Sequence, residues 1–177
     1  FPLVDRIEFQ IIKQSQPNWL QFMKGNIDAA GIPKDNFDAA IADGALKPEL
    51  VQKGIQLQKS EESVIWYLNF NMKDKVVGGK NSDLRKAISM AINREEYIQK
   101  FLNGRGVKAT SIVPRVIDGH TGRTELANDY NPEKAKELLA KAGYPEGKGL
   151  PVIKFDLRGS DTSTKQAAEY IQKSLAA

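Results

Sequence analysis

Residues 63–72 (SVIWYLNFNM) constrain what this chain can fold into more than any other stretch. They are dense in β-branched and aromatic side chains and bounded by polar turns, which predicts a strand. With a period of two, Val64, Trp66, Leu68 and Phe70 share one face, and Ile65, Tyr67, Asn69 and Asn71 share the other. The first face is uniformly apolar and is expected in a core. The second sets a phenol beside two amides and is the face on which a ligand is expected. The competing reading is that the amides end the strand and cap the next turn.

Around this run the pattern alternates between strands and helices. Residues 5–12 (DRIEFQII) alternate Ile7, Phe9 and Ile11 with polar partners, predicting a half-buried strand. Pro17 sits at a helix start, Trp19, Leu20, Phe22 and Met23 form its apolar face, and Gly25 ends it. A short strand at 27–30, a helix over 37–42 capped by Asp35 or Asn36, a helix opened by Pro48 and stopped by Gly54, and a strand around Ile55 and Leu57 follow. This section is an α/β arrangement. Past the VVGGKNS turn, Ser82 or Asp83 caps a helix with Leu84, Ala87, Ile88, Ala91 and Ile92 on one tight face. Asn93 with Glu96 fits a capping box, so a second helix runs to Gly104. A loop of about 25 residues, to Asp129, comes next, and loops that long are usually functional or wrapped over a neighbouring surface. Asn131, Pro132 and Glu133 open a helix that Gly143 closes. A strand over 151–158 and a helix from about Thr164 to the last residue complete the chain. That helix carries no stop signal and its apolar face (Ala167, Ala168, Ile171, Leu175) needs a cover, which reads as an excised fragment; the alternative is a complete small domain with a frayed last helix.

Composition narrows the function. The 177 residues are 41% hydrophobic and 27% charged, enough for one good core or two small ones. The net charge of +4 comes from cations interleaved with acids, with no isolated basic block, which argues against a nucleic-acid surface. No run of about 18 apolar residues exists to span a bilayer. Phe1, Pro2 and Leu3 precede a strand-like segment in place of a basic and then apolar leader, so the chain is read as cytosolic or as a mature or excised piece. The absence of cysteine excludes disulfides and thiolate chemistry, and suits an oxidising envelope space.

Catalytic patterns are missing. His120 is the only histidine, so no multi-histidine metal site can form, and its place in DGHTGRT suits a capping or exposed role. VVGGKNS and PEGKGLP fail the phosphate-loop pattern because Asn81 follows Lys80 and Gly149 follows Lys148. NGRGVKAT fails GxGxxG and follows a helix, where a dinucleotide turn would follow a strand. No enzyme, metal or cofactor is expected. A small α/β hydrolase-like or transferase-like enzyme, built around Asp118, His120 or Asp161, is the alternative, with a structural interaction module that docks through the last helix as a third reading.

One resemblance covers practically the whole chain in collinear order. WLQFMKGNIDAAGIP, LNFNM, LRKAISMAINREEYI, NGRGVKA before an Ile-Val-Pro stretch, YNPEKAKELLAKAGYPEGKGLP and the AAEYIQKSL helix together resemble the extracellular solute-binding proteins of oligopeptide, dipeptide and nickel ABC importers. The resemblance implies a fragment of a two-lobed α/β binding protein, helix-rich with short mixed sheets. It implies that residues 1–62 close the first lobe, 63–72 cross between lobes, and 73–177 begin the second. It implies capture of a peptide in the inter-lobe cleft, delivery to a membrane permease, and a periplasmic or extracellular location with a possible lipoprotein anchor. Peptides share an extended backbone and two charged ends, so the expected ligand contacts are Tyr67, Asn69 and Asn71 on the polar face, Trp66 as a wall in the opposite register, and Arg158 with Asp161 near a terminal charge. The family's common Pro-Pro stands here as Pro114-Arg115, which implies an altered rim.

Overall fold

The computed structural model describes residues 3–122 and 128–176. The chain divides into two compact units, Phe1–Gln58 and Lys59–Ala177.

In the first unit, α1 (Ser15–Met23) ends where its sequence says it must. Gly25 takes a φ of +76°, Asn26 N–H donates to Gln21 O at 3.0 Å and Gly25 N–H to Phe22 O at 2.9 Å, so the last carbonyls are satisfied by a Schellman turn that glycine makes without strain. A 3-10 turn (Lys34–Asn36) leads into α2 (Phe37–Ala40), followed by β1 (Ile41–Ala42), β2 (Ala45–Leu46) and α3 (Pro48–Gln52). The strands pair antiparallel, Ile41 with Leu46 and Ala42 with Ala45. Asp43 and Gly44 both have positive φ, as a two-residue Asp-Gly hairpin requires. The expected helix over 37–42 is therefore cut short at Ala40, because the Asp-Gly signal turns the chain. Trp19, Ala40 and Leu50 form the buried centre, with Phe22, Met23, Ile32, Ile41, Leu46 and Ile55 packed against it.

The second unit holds α4 (Ser82–Met90), α5 (Arg94–Leu102), α6 (Pro132–Lys141), a 3-10 turn (Pro145–Gly147) and α7 (Thr162–Ala176). Two of the sequence-derived caps form: Asn93 Oδ1 accepts from Glu96 N–H at 3.0 Å and Asn131 Oδ1 from Lys134 N–H at 2.9 Å. The other two do not: Asn36 precedes α2 without a side-chain cap bond, and Ser82 and Asp83 lie inside α4, whose N-cap is Asn81. α4 packs chiefly on α6, where Leu84, Ala87 and Ala135 are buried and the two alanines let the helices approach closely. α5 meets α7 through Tyr97, Phe101 and Tyr170, whose rings lie 4.9–6.0 Å apart. The Tyr170 hydroxyl sits 2.8 Å from Glu96 Oε2 and 3.0 Å from Asn93 O, so its single proton is shared between them.

The structure corrects the strand assignments. Among the described residues, only β1 and β2 form a ladder. Residues 5–12, 27–30, 55–57, 63–72 and 151–158 carry no strand. Alternation states which way side chains point, whereas a strand also needs a partner for its main chain, and that partner is not encoded locally. The apolar rows of these segments lie open: Phe9 is 90%, Ile11 92% and Val152 93% exposed. The apolar face of 63–72 is likewise not a core. Val64 and Trp66 are exposed, and Leu68 and Phe70 are half-buried. The helix-rich part of the expected fold class is observed; in place of short mixed sheets the described residues form one pair of two-residue strands.

Ion pairs give the second unit a defined pH response. Hydrogen bonding to Lys108 holds Glu95 and Asp129 below their ordinary values of 4.5 and 3.8, and hydrogen bonding to Lys100 and Tyr170 does the same for Glu96. Backbone N–H groups of Val77 and Val76 lower Asp74. Carboxyls depressed in the folded state stabilise it above their unfolded values and lose that contribution as they are protonated. Tyr170 goes the other way: burial, aided by Glu96, pushes it up to about 12 from 10.0. Its contribution is present below pH 10.0 and disappears as pH rises toward 12. Urea midpoints measured across pH are therefore expected to be flat from about pH 5 to about pH 9 and to fall on both sides. A midpoint that rises below pH 4.5 would contradict these pairings.

Candidate functional site

The candidate ligand face begins on residues 63–72, which run into a hydrogen-bonded turn. At the far end, Asn71 Oδ1 accepts from Lys73 N–H at 3.0 Å, and Asp74 Oδ1 accepts from Val76 and Val77 N–H at 2.7 and 2.9 Å. Asn81 Nδ2 donates to Val76 O at 2.5 Å and Arg85 Nη1 to Val77 O at 2.8 Å, locking this turn onto α4. Asn71 thus serves the turn, as the competing reading held for the amides. Asn69 has no such partner among the described residues. Trp66 is 77% and Tyr67 67% exposed, so both aromatic surfaces are available for contact.

Arg158 and Asp161 lie where the chain enters α7. Arg158 is exposed. Asp161 is the cap of α7: its Oδ1 accepts from Thr164 N–H at 3.0 Å and its Oδ2 from the Thr164 hydroxyl at 2.5 Å. The hydroxyl bond, followed by the backbone bond, holds this carboxyl below 3.8. The expected helix start near Thr164 is corrected to Thr162, because the Asp161/Thr164 pair is the cap itself. Among the described residues no hydrogen bond or ion pair joins Arg158 or Asp161 to Trp66, Tyr67, Asn69 or Asn71. Asp161→Ala is expected to cost about 1 kcal/mol and fray the first turn of α7, while Asp161→Asn keeps an acceptor and costs less. Amide hydrogen exchange at Thr164 reads this directly, and unchanged protection in the alanine variant would contradict the cap.

The long loop from Gly104 is tied down at several points. Lys108 Nζ contacts Glu95 at 2.8 Å and Asp129 at 2.7 Å, Arg94 donates to Asn128 O at 2.6 Å, and Asn131 N–H to Met90 O at 2.9 Å. Residues 123–127, which include part of this loop, lie outside the described residues. His120 Nδ1 lies 2.8 Å from Val113 O, and since a carbonyl only accepts, that nitrogen carries the proton. This bond ties His120 back onto the loop at Val113. Arg115, at the position marked as a rim change, pairs with Glu61 at 3.2 Å, both side chains exposed. Among the described residues, no group of three or more His, Cys, Asp or Glu side chains is placed to hold a metal.

The sequence reading missed one cleft. Phe70, Ser82, Arg85, Lys86, Ser89 and Asn128 surround a space of about 340 Å³. The polar spacing Ser82, Arg85, Ser89 along α4 is the signal for it in the sequence, on the side of the helix away from the regular apolar face.

The model of the bacterial extracellular solute-binding proteins, family 5 (middle), matches residues 2–177. The chain belongs to this family. Among its relatives, the family 5 chain is 27% identical over 169 residues to heme-binding protein A of Haemophilus influenzae, covering 95% of this chain and 29% of that one. It is 25% identical over 172 residues to the dipeptide-binding protein of Escherichia coli, covering 97% and 30%. It also superimposes on the crystal structure of a periplasmic oligopeptide-binding protein from Borrelia burgdorferi with a TM-score of 0.62 and 26% identity, over 94% of this chain and 30% of that one. The chain therefore spans about 30% of the length of these relatives. The family is one of solute-binding proteins, and among the described residues no helix is long and apolar enough to cross a membrane.

Proposed function

We propose that this chain is part of the substrate-binding component of an ABC importer, which captures a peptide between two lobes and hands it to a membrane permease without turning it over. Residues 1–62 belong to the first lobe, 63–72 cross between lobes, and 73–177 begin the second. The family match over residues 2–177 carries the reading. It is supported by the dipeptide and oligopeptide named for two of the relatives. The protein works in the periplasm or outside the cell, with lipid anchoring a further possibility to be read by fractionation.

The recognition chemistry follows from residues 63–72, which pair with no strand among the described residues. A peptide's main chain pairs with free N–H and C=O groups as an added strand would, Tyr67 and Asn69 offer a hydroxyl and an amide beside it, and Trp66 supplies a flat apolar wall. Asn71 contributes its remaining amide donors, because its oxygen already serves Lys73. Arg158 is the cation for a carboxylate end. Asp161 contributes through the loop it fixes, with its oxygens engaged by Thr164. Ligand that touches both lobes only when they meet shifts the population toward the closed state.

Calorimetric titration with a mixed tripeptide pool tests this. The intact protein in which the chain resides is expected to bind, and the 177-residue chain alone to bind at least about a hundredfold more weakly, since half the contacts are missing. Equal affinity would overturn the two-lobe reading.

A further inference from the structure

We propose that the cleft beside Phe70 is a binding site for a small oxyanion, carboxylate or phosphate, separate from the peptide face. The hollow measures about 340 Å³ and is open to solvent. Of residues 63–72 only Phe70 lines the cleft; Trp66, Tyr67, Asn69 and Asn71 are not among its lining residues.

The lining has one sign of charge. Ser82, Arg85, Lys86 and Ser89 follow one another at i, i+3, i+4 and i+7 on one side of α4, placing two cations and two hydroxyls on a single wall. Arg94, outside the lining, ties two lining residues together: Nη2 donates to Ser89 Oγ at 2.5 Å and Nη1 to Asn128 O at 2.6 Å. No carboxylate is among the described lining residues. The acids adjacent in sequence are engaged elsewhere, Asp83 with Lys141 at 3.1 Å and Asp129 with Lys108 at 2.7 Å.

The donors divide into fixed and free. Arg85 is held by Val77 O at 2.8 Å and Gly79 O at 3.4 Å, so it supplies a charge at a set position. Lys86 is exposed and has no ion-pair partner among the described residues, which leaves its ammonium to meet a ligand. Two cations, two hydroxyls, one aromatic wall and no acid among the described lining residues select an anion with several oxygens over a cation or a neutral solute.

The test is titration of the protein with citrate and, separately, with inorganic phosphate, in chloride buffer at low ionic strength, read from the amide shifts of residues 82–89. At least one of the two is expected to saturate. Lys86→Gln should weaken it about fivefold and Lys86→Arg leave it within about twofold. Lys136→Gln, an exposed charge on α6 outside the cleft, should leave it unchanged. If neither anion saturates, or if Lys136→Gln weakens binding as much as Lys86→Gln, the proposal is overturned.

Discussion

Leu84→Ala is expected to destabilise the second unit by about 3 kcal/mol. Leu84 is 1% exposed at the contact of α4 with α6, and its buried companions Ala87 and Ala135 are too small to collapse into the space it leaves. A loss of that size is a large share of the stability of an ordinary domain. Urea unfolding followed by helical circular dichroism measures it. Val152, 93% exposed, is the contrast: alanine there should change the isolated chain by less than about 0.5 kcal/mol. Equal effects at the two positions would mean that the α4–α6 contact is not the core.

Gly78 is the second sensitive point, for a steric reason. A Cβ there would press into Asp74 O and lie 2.5 Å from Met72 O. Both are backbone atoms already committed, to Gly78 N–H at 3.1 Å and Gly79 N–H at 3.0 Å, so relief means breaking the turn. Gly78→Ala is expected to cost about 3 kcal/mol. Neighbouring Gly79 has positive φ but nothing within 4 Å of its added Cβ, so Gly79→Asn should cost under about 1 kcal/mol. Because Arg85 is anchored on Val77 O and Gly79 O, the Gly78 variant should also release the Arg85 guanidinium, visible as faster exchange of its side-chain N–H groups. A Gly78→Ala variant as stable as wild type would sink this account of the turn.

What the sequence could and could not reveal follows from the range of the interactions. Helix ends are local: Asn93 and Asn131 cap three residues ahead, and Gly25, Gly54 and Gly143 close turns with residues within six positions, so short patterns find them. The Asp43-Gly44 hairpin is just as local and could have been found, but the preceding Phe-Asp-Ala-Ala favours helix and hid it. The sheet could not be read this way. Ile7, Phe9 and Ile11 alternate faithfully, yet alternation carries no information about what pairs with the main chain, and the described residues supply no partner.

The site divides along the same line. Exposed Trp66 and Tyr67 sit on the run that the sequence singled out, while Asn71 and Asp161 turned out to hold local structure. Both are Asx residues whose side chains bond two or three residues ahead, and that habit competes with any ligand role a loop position suggests. Membership of family 5 was legible from collinear motifs because the match extends across residues 2–177, far beyond what any single short pattern specifies.

The central claim is that the exposed run of residues 63–72 meets the peptide. Its most direct test is the tripeptide affinity of the intact protein, measured by calorimetry for wild type, Trp66→Ala and the Tyr67→Ala/Asn69→Ala pair. Each variant is expected to bind about tenfold or more weakly with its melting temperature little changed, because these side chains are exposed and their loss opens no cavity. Affinities within about twofold of wild type in both variants would contradict the claim.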